Sequence, residues 1–87
     1  MAGMGAMLQY VRAYLTQHFG GVKDEVAEGK YVVFIVNING TIRNLKVHHD
    51  MSAYTGSIPQ YLTDANIADQ LLNRDVEIKP LLPSTQI

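Results

Sequence analysis

The run Tyr31-Val32-Val33-Phe34-Ile35-Val36-Asn37-Ile38 meets Asn39-Gly40 and returns as Thr41-Ile42-Arg43-Asn44-Leu45-Lys46-Val47-His48. Asn-Gly between two β-rich runs is the strongest short-range hairpin signal, because a type I′ turn needs φ > 0 at both central residues. A two-residue loop also fixes the register. It pairs Ile38 with Thr41, Val36 with Arg43, Phe34 with Leu45 and Val32 with Val47 on one face. The other face pairs Asn37 with Ile42, Ile35 with Asn44, Val33 with Lys46 and Tyr31 with His48. The first strand is apolar on both faces and the second on only one, so the first lies inside a sheet. Its expected neighbours are Thr41 to His48 on one side and a late strand, Asp75 to Lys79, on the other.

The remaining elements follow from period and punctuation. Met4, Met7, Leu8, Val11, Leu15, His18 and Phe19 recur at spacings of three and four, which predicts a helix from about Gly5 to Phe19 ended by Gly20-Gly21. Val22 to Gly29 reads as a charged connector, with room for a helical turn. Residues 50–60 carry the Ser, Gly and Pro of a loop. Thr63 reads as an N-cap with Asp64 in the first turn, and Leu62 and Ile67 are spaced as a hydrophobic staple. Ile67, Ala68, Leu71 and Leu72 then form the buried stripe of a helix ending near Arg74. Asp75-Val76-Glu77-Ile78-Lys79 alternates as a half-buried strand, and Pro80 and Pro83 mark it as an edge. The order helix, strand, strand, helix, strand gives a two-layer α+β domain with a three-stranded antiparallel sheet.

At 87 residues the chain is one small domain, with residues 1–6 expected disordered and 81–87 a tail. A net charge of −1 without clustered Lys or Arg argues against nucleic acid as a partner. Residues 1–7 form neither a signal peptide nor a membrane span. No cysteine is present, so there is no thiolate metal site. His48-His49-Asp50 is the one cluster suggesting a metal, but adjacent strand residues face opposite ways and cannot readily share an ion. His18 lacks a nucleophile and an orienting acid, and Gly3-Met4-Gly5 follows no strand. The chain therefore reads as non-catalytic, with no cofactor and no metal.

Three stretches resemble the C-terminal domain of the TonB family, and more distantly that of TolA. They are Met7 to Leu15, Glu28 to Val47 and Leu62 to Pro80, together more than half of the chain. Phe19-Gly20-Gly21 stands where the family usually has Tyr-Pro, Ile78 where it often has Trp, and the 48–61 loop is longer. The resemblance implies a periplasmic protein-binding module of an inner-membrane-anchored energy-coupling protein. Such a domain binds an extended peptide of an outer-membrane transporter by β-augmentation. The membrane would then be reached only through an N-terminal anchor lying outside these residues.

Carried onto this sequence, the pairing strand is Asp75, Val76, Glu77, Ile78 and Lys79. Tyr31 on the mixed sheet face and Tyr54 in the long loop add contact residues of the type favoured at interfaces. The expected signature is perturbation of the Val76 and Ile78 amides on binding. The alternative is a stand-alone phage or cytosolic inhibitor or adaptor, homodimeric through the face of Tyr31, Val33, Ile35 and Ile42. A cytoplasmic location belongs to that alternative.

Overall fold

The Asn39-Gly40 turn organises the sheet as its chemistry requires. In the computed structural model, which describes residues 2–48 and 62–78, Asn39 has φ 54° and Gly40 φ 89°, the two positive values of a type I′ turn. Asn37 Oδ1 accepts the Gly40 N–H at 2.8 Å. All eight expected pairs form between β2 (Tyr31–Ile38) and β3 (Thr41–His48). Phe34 and Leu45, opposite each other, are fully buried.

The architecture is α+β, with elements in the order α1 (Ala2–Phe19), β1 (Asp24–Glu28), β2, β3, α2 (Ile67–Leu71) and β4 (Val76–Ile78). The sheet has four strands in the order β1-β2-β3-β4, one more than expected. It is mixed, because β4 lies parallel to β3 while the first three strands are antiparallel. A parallel neighbour requires a crossover, and the segment that carries α2 connects β3 to β4.

The extra strand is the stretch expected to be a charged connector. Asp-Glu-Val-Ala-Glu is poor in strand formers, and all five residues are exposed. The sequence cue lies in the turn. Gly29 has φ 60° while Lys30 keeps a negative φ, the type II′ pattern with Gly first. Glu28 thereby pairs with Tyr31, and the ladder runs back to Asp24 opposite Ile35. The second neighbour of β2 is therefore β1 and not β4.

Helix α1 begins at Ala2, taking in most of the 1–6 stretch, and its Val11 and Leu15 are fully buried. Leu8, Tyr14 and Phe19 pack beside them. His18, expected on the buried stripe, is exposed, and its ring lies tilted by 47° against Tyr14 with centroids 4.4 Å apart. The helix ends where the Gly20 N–H reaches the Thr16 carbonyl at 2.8 Å with Gly20 at φ 86°.

The second helical stretch is broken, not continuous from Thr63 to Arg74. Residues 62–64 make one helical turn, and Asn66 turns left-handed (φ 54°, ψ 53°) to open the five-residue α2. Thr63 thus sits within a helical turn rather than capping the helix. Asn66 stands at the cap of α2, where its Nδ2 donates to Asp69 Oδ2 at 2.9 Å. Leu62, Ile67, Ala68 and Leu71 are buried as expected, whereas Leu72 is half-exposed. The break rotates Leu72 off the stripe. The Ala68 N–H donates to the Tyr14 hydroxyl at 2.9 Å, tying α2 to α1.

Val11 and Leu15 from α1, Phe34, Val36 and Ile38 from β2, Leu45 and Val47 from β3, and Ile78 from β4 form one core with Leu62, Ile67 and Leu71. Burying a side chain of this size stabilises the fold by about 1.5–3 kcal/mol. The helical layer lies against this side of the sheet. Val26, Val33, Ile35 and Ile42 stand on the opposite face.

Candidate functional site

The period-2 alternation sorts the sheet into two faces. On the face opposite the core, the register sets Glu28, Tyr31 and His48 in one row. Val26, Val33, Lys46 and Glu77 form the next row, and Asp24, Ile35 and Asn44 lie beyond it with Asp75 alongside. Val26, Tyr31, Val33 and Ile35 supply the apolar surface of the β1–β2 half, flanked by Asp24 and Glu28, while Asn44, Lys46, His48, Asp75 and Glu77 make the β3–β4 half mainly polar.

The polar half is built around Lys46. Its Nζ lies 3.6 Å from Glu28 Oε1 and 4.9 Å from the centre of the Tyr31 ring. Tyr31 in turn meets the His48 ring edge-on at 5.2 Å. Beside this cluster runs an open groove of about 320 Å³ lined by Glu28, Val33, Asn44, Lys46, Asp75, Val76 and Glu77. Asp75 closes its end, with Oδ1 accepting the Asn44 N–H at 3.0 Å and so fixing where β4 starts. Glu77 has no ion pair or hydrogen bond to its side chain among the described residues.

The two edges of the sheet differ. In a two-residue hairpin the residues flanking the loop exchange main-chain bonds, and alternate residues point away. Glu28, Val26 and Asp24 therefore bond to β2, and Glu25 and Ala27 face outward. The outward Glu25 N–H is already taken, donating to Asp24 Oδ1 at 2.8 Å. The Glu25 carboxylate is taken as well, in a fork with Arg12 of α1 (Nε to Oε2 2.6 Å, NH2 to Oε1 2.9 Å). Hydrogen bonding to Arg12, reinforced by its charge, holds the Glu25 carboxyl below its ordinary pKa and raises that of Arg12.

On β4 the same reasoning turns Val76 and Ile78 toward β3, because the residues of β3 not bonded to β2 are Asn44, Lys46 and His48. Glu77 N–H and C=O then point away from the sheet. No described strand pairs with that side.

The structure thus sets three of the expected contact residues, Tyr31, Asp75 and Glu77, on the open face, with Val76 lining the groove beside β4. Ile78 belongs to the core at 1% exposure, and the partly buried Val76 packs against that core. Lys79 and Tyr54 lie outside the described residues. The expected amide signature also changes, from Val76 and Ile78 to Glu77. Sequence reasoning missed Glu28 and Asn44 as groove residues. Recognising Gly29-Lys30 as a turn would have placed Glu28 beside Lys46.

Among the described residues, no group of three or more His, Cys, Asp or Glu side chains is arranged to hold a metal. No described helix is long and apolar enough to cross a membrane. No family model, curated protein or solved structure matches this chain.

Proposed function

We propose that this domain is a non-catalytic protein-binding module that takes an extended segment of a partner along the outer side of β4, in the manner of the TonB-type domains it resembles. The observation that carries this reading is the outward main chain of Glu77, which lies beside the groove and pairs with no described strand on that side. Unpaired edge groups are a template for an added strand, with main-chain bonds supplying affinity and neighbouring side chains supplying choice. On this reading the partner is a transporter segment in the periplasm, and the domain couples to it without chemistry of its own.

A photo-crosslinking amino acid in place of Glu77, compared with one in place of Ala27, tests this in the cells that make the protein. A discrete adduct with one partner is expected from position 77 and none from 27. Adducts from position 27 alone, or from neither, would contradict the reading.

Val26 and Ile42, 40% and 47% exposed, favour a second reading in which two copies pack open face to open face. It stands second because, among the described residues, Asp24, Glu28, Asp75 and Glu77 share that face with one lysine, Lys46. Two such faces would bring like charges together. A dimer in sedimentation that dissociates on Tyr31→Asp or Ile35→Asp would promote it.

A further inference from the structure

An added strand must lie beside side chains as well as main chain, and around β4 those side chains are acidic. Asp75 and Glu77 are two residues apart, so both project on the open face about 6.6 Å from one another along the edge. Glu28 completes the groove wall. Lys46 is the one cation lining it among the described residues, and it is engaged by Glu28 at 3.6 Å and by the Tyr31 ring. Asp75 spends one oxygen on the Asn44 N–H, and Glu77 spends none among the described residues. Among those residues no cation is paired with either carboxylate, so this edge presents negative charge.

Resting on the β4-edge reading above, we infer that the partner segment is basic on one face. It is an extended peptide with Lys or Arg at alternate positions, set against Asp75 and Glu77. A residue on an added strand directly opposite Glu77 would have its Cβ about 5 Å away, close enough for a charge pair. An acidic segment would meet the same two carboxylates at that distance. This sign also separates the two edges, since the β1 carboxylates Glu25 and Glu28 are already paired with Arg12 and Lys46.

Three nine-residue peptides with alternating valines, differing only in Lys, Gln or Glu at the intervening positions, serve as probes. Titrated into the 15N-labelled full chain, the lysine peptide is expected to shift the Glu77 amide. It should bind about fivefold tighter than the glutamine peptide, as two exposed charge pairs allow. The glutamate peptide should bind weakest, and the ranking should collapse in Asp75→Asn/Glu77→Gln. Equal binding of all three at the Glu77 amide would overturn the charge preference and leave the β4-edge reading standing. Shifts that spare Glu77 with every peptide would overturn both.

Discussion

The two edges of this sheet solve the same problem in opposite ways. An edge strand exposes main-chain donors and acceptors that invite a further strand. On β1, five exposed residues are held by polar ties: Asp24 caps the Glu25 N–H, Arg12 grips the Glu25 carboxylate, and Lys46 reaches Glu28. On β4, three residues are held from below by the buried Ile78 and at the start by Asp75, while the Glu77 side chain has no ion pair or hydrogen bond among the described residues. The long edge thus has its Glu25 N–H and the Glu25 and Glu28 carboxylates tied, with Ala27 still facing outward, and the short one is anchored with no side-chain tie to Glu77 among the described residues. The difference teaches that an edge's length and the satisfaction of its outward groups are separate properties. The proposed β4 docking turns on the second.

That contrast can be broken most forcefully at the anchor. Ile78→Ala should cost about 2–4 kcal/mol in denaturant unfolding, because it leaves a cavity beneath β4. Val26→Ala on β1 removes a side chain that is already 40% exposed and should cost well under about 1 kcal/mol. Similar costs for the two would mean that β4 is not held by its apolar side chain. A smaller effect is expected at the β1 turn. Gly29 sits at φ 60° with nothing within 4 Å of an added Cβ, so Gly29→Ala meets only the conformational penalty, about 1 kcal/mol. Amide exchange of Val26 should quicken in that variant more than that of Val36.

The smallest effect belongs to the fork between helix and edge. Glu25→Gln should lose about 0.5 kcal/mol at neutral pH, the scale of a well-formed but partly exposed pair. The sign follows from the lowered folded pKa of Glu25. The pair's contribution is present above the unfolded carboxylate value near 4.3 and is lost as pH falls through the lower folded value. Parent and variant unfolding curves should therefore converge in acid. A difference that persisted there would assign the effect to packing instead of charge.

Much of the fold was legible because its strongest signals are local. Asn39-Gly40 dictated a turn, the turn dictated a register, and all eight pairs of β2 and β3 followed from two residues. The spacing of Val11 and Leu15 likewise named the buried side of α1. β1 escaped because Asp24 to Glu28 buries nothing, and apolar periodicity reports only what is buried. The break at Asn66 escaped because the apolar spacing of Leu62, Ile67 and Leu71 suits one helix as well as two. The pairing of β4 with β3 depends on the crossover path, which no short motif encodes.

At the candidate site, the sequence named all of residues 75–79, and the structure sorts the described ones among them by face. Val76 and Ile78 were the apolar choices, and burial claimed them for the core. On the proposed reading, the main chain that meets a partner is that of Glu77, the polar residue between them. Direction of main-chain bonding, settled by which neighbour β4 has, decides that, and it is invisible without the sheet order.

Proline at each outward-facing position tests the contrast between the edges most directly. Glu77→Pro and Ala27→Pro each remove one N–H that points away from the sheet, where proline is tolerated on an edge. With the lysine peptide as probe, binding should be lost in Glu77→Pro and retained in Ala27→Pro, with both variants still folded by circular dichroism. Retained binding in Glu77→Pro, or its loss only in Ala27→Pro, would contradict β4 as the open edge.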